Sequence, residues 1–288
     1  ELAMEIFKGE YESEFRVQSY KSWQHPDIMA AKNKTNTYGL RDNPTGIYVK
    51  AGEELVALVG NTHGQNISLF IQDTQNAIAG ISMPLSEGIN KKKVAVSGLV
   101  YVVYYTQTGT EQPVKINIAS GSVNGYFDSS KHSKDDWKRI LDKATCKHFD
   151  VIGKYAVLTF ETEAFRKYTP DGLALINKYD ELVRMEQEFM GLPDYNRNYK
   201  NRAYFLAIYD NDSYMYATDY YTAFHVNTQP DILDVQKLTT TACWGPAHEL
   251  GHVHQTRPGL RWLGMTEVTN NIYSLYIQTA WGNTSRLI

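Results

Sequence analysis

His248-Glu249-Leu250-Gly251-His252 is the stretch on which the reading of this chain turns. In a helix, residues four apart lie one turn above each other, so two imidazoles at that spacing can reach one ion. Glu249 lies about 100° round the axis from His248, close enough to touch a water beside that ion without ligating it. This is the His-Glu-x-x-His arrangement of zinc-dependent hydrolases, in which neutral imidazoles bind Zn²⁺ and the acid takes a proton from the water. The flanks agree with a helix. Trp244-Gly245-Pro246-Ala247 supplies a start, because proline suits a first turn where its missing N–H is not needed. Leu250 and Val253 point away from the histidine face, as buried packing residues should. Gly251 leaves the helix thin enough for another backbone or a ligand to come close. Arg257-Pro258-Gly259 predicts its end.

A second helical segment is predicted from Thr266 to Ala280, where Val268, Ile272, Leu275, Tyr276 and Thr279 recur at near-helical spacing. Glu267, at its start, is the natural third ligand. Two imidazoles and one carboxylate leave zinc a net positive charge and an open fourth position for water. The same Glu267 also fits a plain first-turn residue that favours the helix dipole. Asn271, one turn on, can orient a ligand imidazole by accepting its free ring N–H, although Asn near a helix start also serves as a cap.

These residues carry a family resemblance. The pentad, followed by Trp262 and then Glu267-Val268-Thr269-Asn270-Asn271-Ile272-Tyr273, resembles the signature of the M60-like (enhancin-related) metallopeptidases, a gluzincin pattern with a downstream Glu as third ligand. Upstream, the run from Asn43 to Glu54 and Gly98-Leu99-Val100-Tyr101 are similar to the family's accessory β segment. The resemblance implies a zinc endopeptidase, secreted or at a cell surface and bacterial, that acts on O-glycosylated, mucin-like glycoproteins. Composition and spacing alone stop at a zinc hydrolase. A carbohydrate- or glycoprotein-binding surface protein with a vestigial metal site is the alternative, and the complete His-Glu-x-x-His and Glu set argues against such decay.

Composition narrows the partners. The chain has 288 residues and a formal net charge of −3, which gives no basic footprint for nucleic acid. No run of about 18 apolar residues is present to span a membrane as a helix. Glu1-Leu2-Ala3-Met4 has neither the charged start nor the apolar core of a signal segment. Cys146 and Cys243 are either a disulfide pair or buried thiols, with buried thiols the favoured reading because nothing fixes their distance. Triplets at Asn33, Asn66, Asn211 and Asn283 fit the N-glycosylation pattern.

Two regimes of periodicity divide the chain into an α+β protein. Residues 1–126 read as an antiparallel β-sandwich, with runs at Ile47–Lys50, Leu55–Val59, Ile67–Ile71, Lys93–Val96, Leu99–Tyr105 and Val114–Ala119. Lys91-Lys92-Lys93 is expected to decorate a turn. Residues 127–288 read as a zincin-like catalytic domain, with helices opening at Ser133 and Asp171 and strands at Tyr155–Thr159 and Ala203–Tyr209. The Tyr-rich stretch Tyr214–Val226 is expected to supply the edge strand on which an extended peptide docks. His225 is a candidate donor to the oxyanion of peptide hydrolysis, and an ordinary strand histidine fits it as well. His254 lies about 240° round from His248 and is not expected to ligate. The chain stops at Ile288, soon after the second helix, so a lower subdomain that completes the cleft is expected to be missing or small.

Overall fold

Glu54–Val59 alternates between buried and more exposed positions, as a strand with one face on a core requires. A computed structural model of the chain describes residues 2–8, 11–73, 76–210 and 212–287, so Glu1, Asn211 of the third glycosylation triplet and Ile288 lie outside the described residues. One antiparallel sheet carries strands in the order Val17–Tyr20, Val114–Ile118, Glu54–Val59 and Gly88–Lys93. A second carries Ser122–Val123, Pro44–Val49, Gly98–Val103, Ser68–Gln72 and Gly80–Pro84. Both contribute to one buried cluster that includes Ile47, Leu55, Ile71, Val102 and Ile116.

The Lys93–Val96 run is not the strand at the rim of the first sheet. That strand is Gly88–Lys93, and Lys91-Lys92-Lys93 lie within it rather than in a turn. It pairs along Glu54–Val59, and Lys91 Nζ meets Glu54 at 2.7 Å. A rim strand bathed in solvent on both faces lacks the apolar alternation that marks a strand in sequence. Its lysines oppose pairing with a second chain.

At Phe127 the backbone enters a different, mixed sheet. Its order is Phe127–Asp128, His148–Ile152, Ala156–Glu161, Ala203–Ile208, Tyr221–His225 and, at the edge, Met215–Thr218. The helix Gly172–Phe189 starts where the Asp171 side chain accepts the Ala174 N–H, and it buries Leu175, Ile176, Tyr179, Leu182 and Val183 against this sheet. The helix Lys134–Lys143 opens with a capping box between Ser133 and Asp136. The core beneath these elements is not drawn from one half of the chain. Phe15, Met29, Ala30 and Tyr38 pack into the same cluster as Trp137, Phe149, Phe205 and Leu250.

The architecture is α+β. Cys146 and Cys243 are both buried and unpaired, and burial pushes the Cys146 thiol up to about 12. No described helix is long and apolar enough to cross a membrane.

Candidate active site

The pentad sits in the helix Trp244–His254, with Leu250 and Val253 buried on the face away from the histidines. The helix ends at His254, ahead of Arg257-Pro258-Gly259, because Gln255 is already extended. After a loop come two short helices, Thr266–Thr269 and Asn271–Ala280, which meet at Asn270. Their buried face is Asn270, Tyr273, Ser274 and Ile277, whereas Val268 and Ile272 of the expected apolar series are 55% and 43% exposed.

Contact with the metal helix decides which face turns inward. A Cβ on Gly251 would lie 3.0 Å from the Tyr273 ring and 3.1 Å from the Asn270 carbonyl oxygen, so the missing side chain is what lets the helices approach. Three side chains then donate across the gap: Ser274 Oγ to Trp244 O at 3.3 Å, Asn270 Nδ2 to His248 O at 3.2 Å, and Tyr273 Oη to His254 O at 3.2 Å. Polar side chains that reach main-chain carbonyls leave no apolar signature, which is why the sequence points to the other stripe.

This packing brings Glu267 over the histidine pair. Glu267 Oε2 lies 3.1 Å from His248 Nε2 and 3.1 Å from His252 Nε2. The far ring nitrogens are committed elsewhere: His248 Nδ1 to Asn271 Oδ1 at 2.8 Å, and His252 Nδ1 to Gln255 Oε1 at 3.2 Å. Both amides are themselves oriented, since Asn271 Nδ2 donates to Glu267 O at 2.8 Å and Gln255 Nε2 donates to Thr266 O at 2.7 Å. Their oxygens therefore face the rings, and each Nδ1 carries the hydrogen. A neutral imidazole protonated at Nδ1 has a bare lone pair at Nε2. Two such lone pairs and a carboxylate oxygen converge, with all three ligand atoms within 4.8 Å of one another. Lone pairs at that spacing repel unless a cation sits among them, and about 3.3 Å is the edge of a tetrahedron with zinc–nitrogen arms. The residues fit a zinc ion. Gln255, which mirrors Asn271 on the second histidine, was not singled out by the sequence; its amide is recognisable only once the helix end folds it back.

Replacing Asn271 by Ala should weaken zinc binding about 10–100-fold with little change in fold, because His248 loses the acceptor that fixes its ring. Competition against a chelator of known affinity measures it. Unchanged zinc affinity would remove Asn271 from the site.

Glu249 is buried and borders a cleft of about 180 Å³ lined also by His252, Glu267, Thr266 and Arg261 and by Met215, Tyr216 and Ala217 of the edge strand. Burial, then the charge of Glu267, pushes the Glu249 carboxyl up to about 8. A cation among the ligands acts in the opposite sense. Asn36, from far upstream, closes the same cleft.

His225 is not among the residues bordering the cleft; its Nδ1 accepts the Asn227 N–H at 3.2 Å, capping a short turn of 3₁₀ helix. His254 is fully buried, with Nδ1 2.8 Å from Glu186 Oε2 and Nε2 2.6 Å from Tyr38 Oη. Burial drives the Glu186 carboxyl up and the His254 imidazole down, so both favour their neutral forms.

A donor set that calls for a cation, with a buried acid facing the same cleft, is the arrangement of a metal-dependent hydrolase. Comparison with known proteins narrows this. The chain belongs to the family described as Peptidase M60, enhancin and enhancin-like, whose pattern matches residues 121–287. Among solved structures, it is similar to a metallopeptidase from Bacteroides thetaiotaomicron, at 35% identity and a TM-score of 0.87, covering 98% of this chain and 50% of that one. It is equally similar to a metallopeptidase solved in complex with Tn antigen, at 35% identity and a TM-score of 0.87, covering 96% of this chain and 54% of that one. Among curated proteins, a TRPM8 channel-associated factor homolog of Xenopus laevis is 24% identical over 194 residues, 66% of this chain and 21% of that protein. The chain thus spans about half the length of these solved relatives and about a fifth of the curated one.

Proposed function

We propose that this chain forms the catalytic region of a zinc endopeptidase that cleaves O-glycosylated, mucin-like proteins outside the cell or at its surface. In this reading residues 127–288 carry the catalytic residues and 1–126 form an accessory β-sandwich, with Phe15, Met29, Ala30 and Tyr38 of the latter completing the catalytic core. The observation that carries it is the convergence of two Nε2 lone pairs and the Glu267 carboxylate beside the buried Glu249. His248, His252 and Glu267 would hold the zinc, with Asn271 and Gln255 fixing the rings. When bound, zinc supplies polarisation of the scissile carbonyl and lowers the pKa of water. Glu249 takes the proton of the attacking water on a carboxylate oxygen and passes it to the departing amine nitrogen.

Among the described residues Met215–Thr218 ends its sheet, so one row of its main-chain groups has no strand partner there and can bind a peptide in extended form. The glycoprotein part of the reading draws on the relative solved with Tn antigen. Chelator-sensitive cleavage of an O-glycosylated mucin, faster than that of its deglycosylated form, is the expected result, read by gel and mass spectrometry. Equal cleavage of both forms would remove the glycan requirement. Binding without cleavage, indifferent to chelator, would favour a glycoprotein-binding module instead.

A further inference from the structure

The cleft holds a fixed hydrogen-bond donor that the mechanism above leaves unused. Asn36 is 7% exposed and faces the cleft with Glu249, His252 and Glu267. Its main-chain N–H donates to Val253 O at 2.9 Å, and its carbonyl accepts from Tyr199 Oη at 2.8 Å. Its side-chain Oδ1 accepts from Arg257 Nη2. A guanidinium has donors only, so the amide oxygen must face it and the NH₂ group is turned the other way. Among the described residues Nδ2 donates to no protein atom, and it is not sealed from solvent.

The edge strand runs along the metal helix. Met215 lies against Gly245 near the helix start, where a Cβ would come 2.7 Å from Met215 Sδ. Beyond the strand's other end, the Tyr220 N–H donates to the carbonyl of Thr37, next to Asn36, at 3.1 Å. Asn36 therefore stands where the helix and the strand both finish. In an extended peptide, main-chain carbonyls point alternately to opposite edges. One set can pair with Met215–Thr218, and beyond the end of that strand a peptide carbonyl needs another donor.

We propose that Asn36 Nδ2 donates to a main-chain carbonyl of the bound peptide where it passes the end of the edge strand, and that Arg257 is the positioning residue that keeps the amide the right way round. This rests on the peptidase reading and adds to it that the enzyme grips main chain past the end of the edge strand as well as along it, independently of peptide sequence.

The test uses the full zinc-loaded chain and an O-glycosylated mucin-type glycopeptide, with kcat and KM measured separately. Peptide affinity is read by fluorescence anisotropy in the Glu249→Gln background. Asn36→Asp keeps an oxygen for Arg257 but replaces the donor with an acceptor. It should lower kcat/KM about 10–100-fold, chiefly through KM, and weaken peptide affinity by a similar factor. Zinc content and thermal midpoint should hold, which distinguishes a substrate contact from a merely structural asparagine. Arg257→Ala should raise KM by about 2–5-fold, with recovery in Arg257→Lys. If the parent cleaves the glycopeptide and Asn36→Asp matches its KM within about twofold, the proposal is overturned and the peptidase reading stands. If the parent binds zinc yet neither cleaves nor binds the peptide, both fall.

Discussion

Glu249→Gln is expected to lower turnover by about 10²–10⁴-fold while zinc content stays stoichiometric. The side chain is buried, borders the cleft and accepts no hydrogen bond from the described residues, so its carboxylate is not occupied by a structural role. The amide is nearly isosteric, leaving the helix and both histidines in place. It cannot take a proton from water, and that is the property removed. Burial opposes the charge at this position, which is why the free carboxyl sits near 8. A neutral amide carries no such penalty, so the thermal midpoint of the zinc-free variant should equal or exceed that of the zinc-free parent above neutral pH. The sign follows from linkage: an acid whose pKa is raised by folding destabilises the native state once pH exceeds its unfolded value near 4.5. Paired kcat and melting measurements check both halves. Near-normal turnover would take Glu249 out of the mechanism.

Glu267→Ala should abolish tight zinc binding, a larger loss than at Asn271, since a ligand is removed rather than its support. The geometry makes the case. With both Nδ1 hydrogens committed to amide oxygens, the two Nε2 atoms are left to bind an ion together with the Glu267 carboxylate. Two imidazoles alone leave a cation under-neutralised and half-coordinated. The parent should melt higher with zinc than with chelator, by up to about 4 kcal/mol of added stability at a thousandfold excess over the dissociation constant. In the variant that difference should vanish. Stoichiometric tight zinc in Glu267→Ala would refute the ligand role and with it the proposed chemistry.

Local spacing made part of this site readable before folding. His248 and His252 are four apart and Glu249 lies between them, so one helix positions all three and their pattern is written contiguously. Glu267 and Asn271 are within reach because they open the next helical segment, which the loop of residues 255–265 returns against the metal helix. The edge strand was legible as an extended Tyr-rich stretch beside the pentad, although it proved to be a hairpin, Met215–Thr218 with Tyr221–His225, rather than one strand.

What stayed hidden depends on distance or on polar packing. Asn36 and Arg257 are 221 positions apart, and no periodicity links them. The angle of His254 sets it apart from the histidine pair, but its partners Glu186 and Tyr38 come from other elements. The inward face of Asn271–Ala280 is not the one its apolar spacing marks: the spacing weighs Ile272 and Leu275, while the contact uses Asn270, Tyr273 and Ser274 against the bare backbone of Gly251.

Phe15, Met29, Ala30 and Tyr38 carry a consequence for anyone who would excise the active centre. Expressing residues 127–288 alone would strip these four and Tyr126, five buried side chains, from beneath the mixed sheet and take away Asn36 as well. Such an excised piece would be a hollowed remnant prone to clumping. A protease cut near Gly121 in the intact molecule would leave two fragments still clasped together and melting as one.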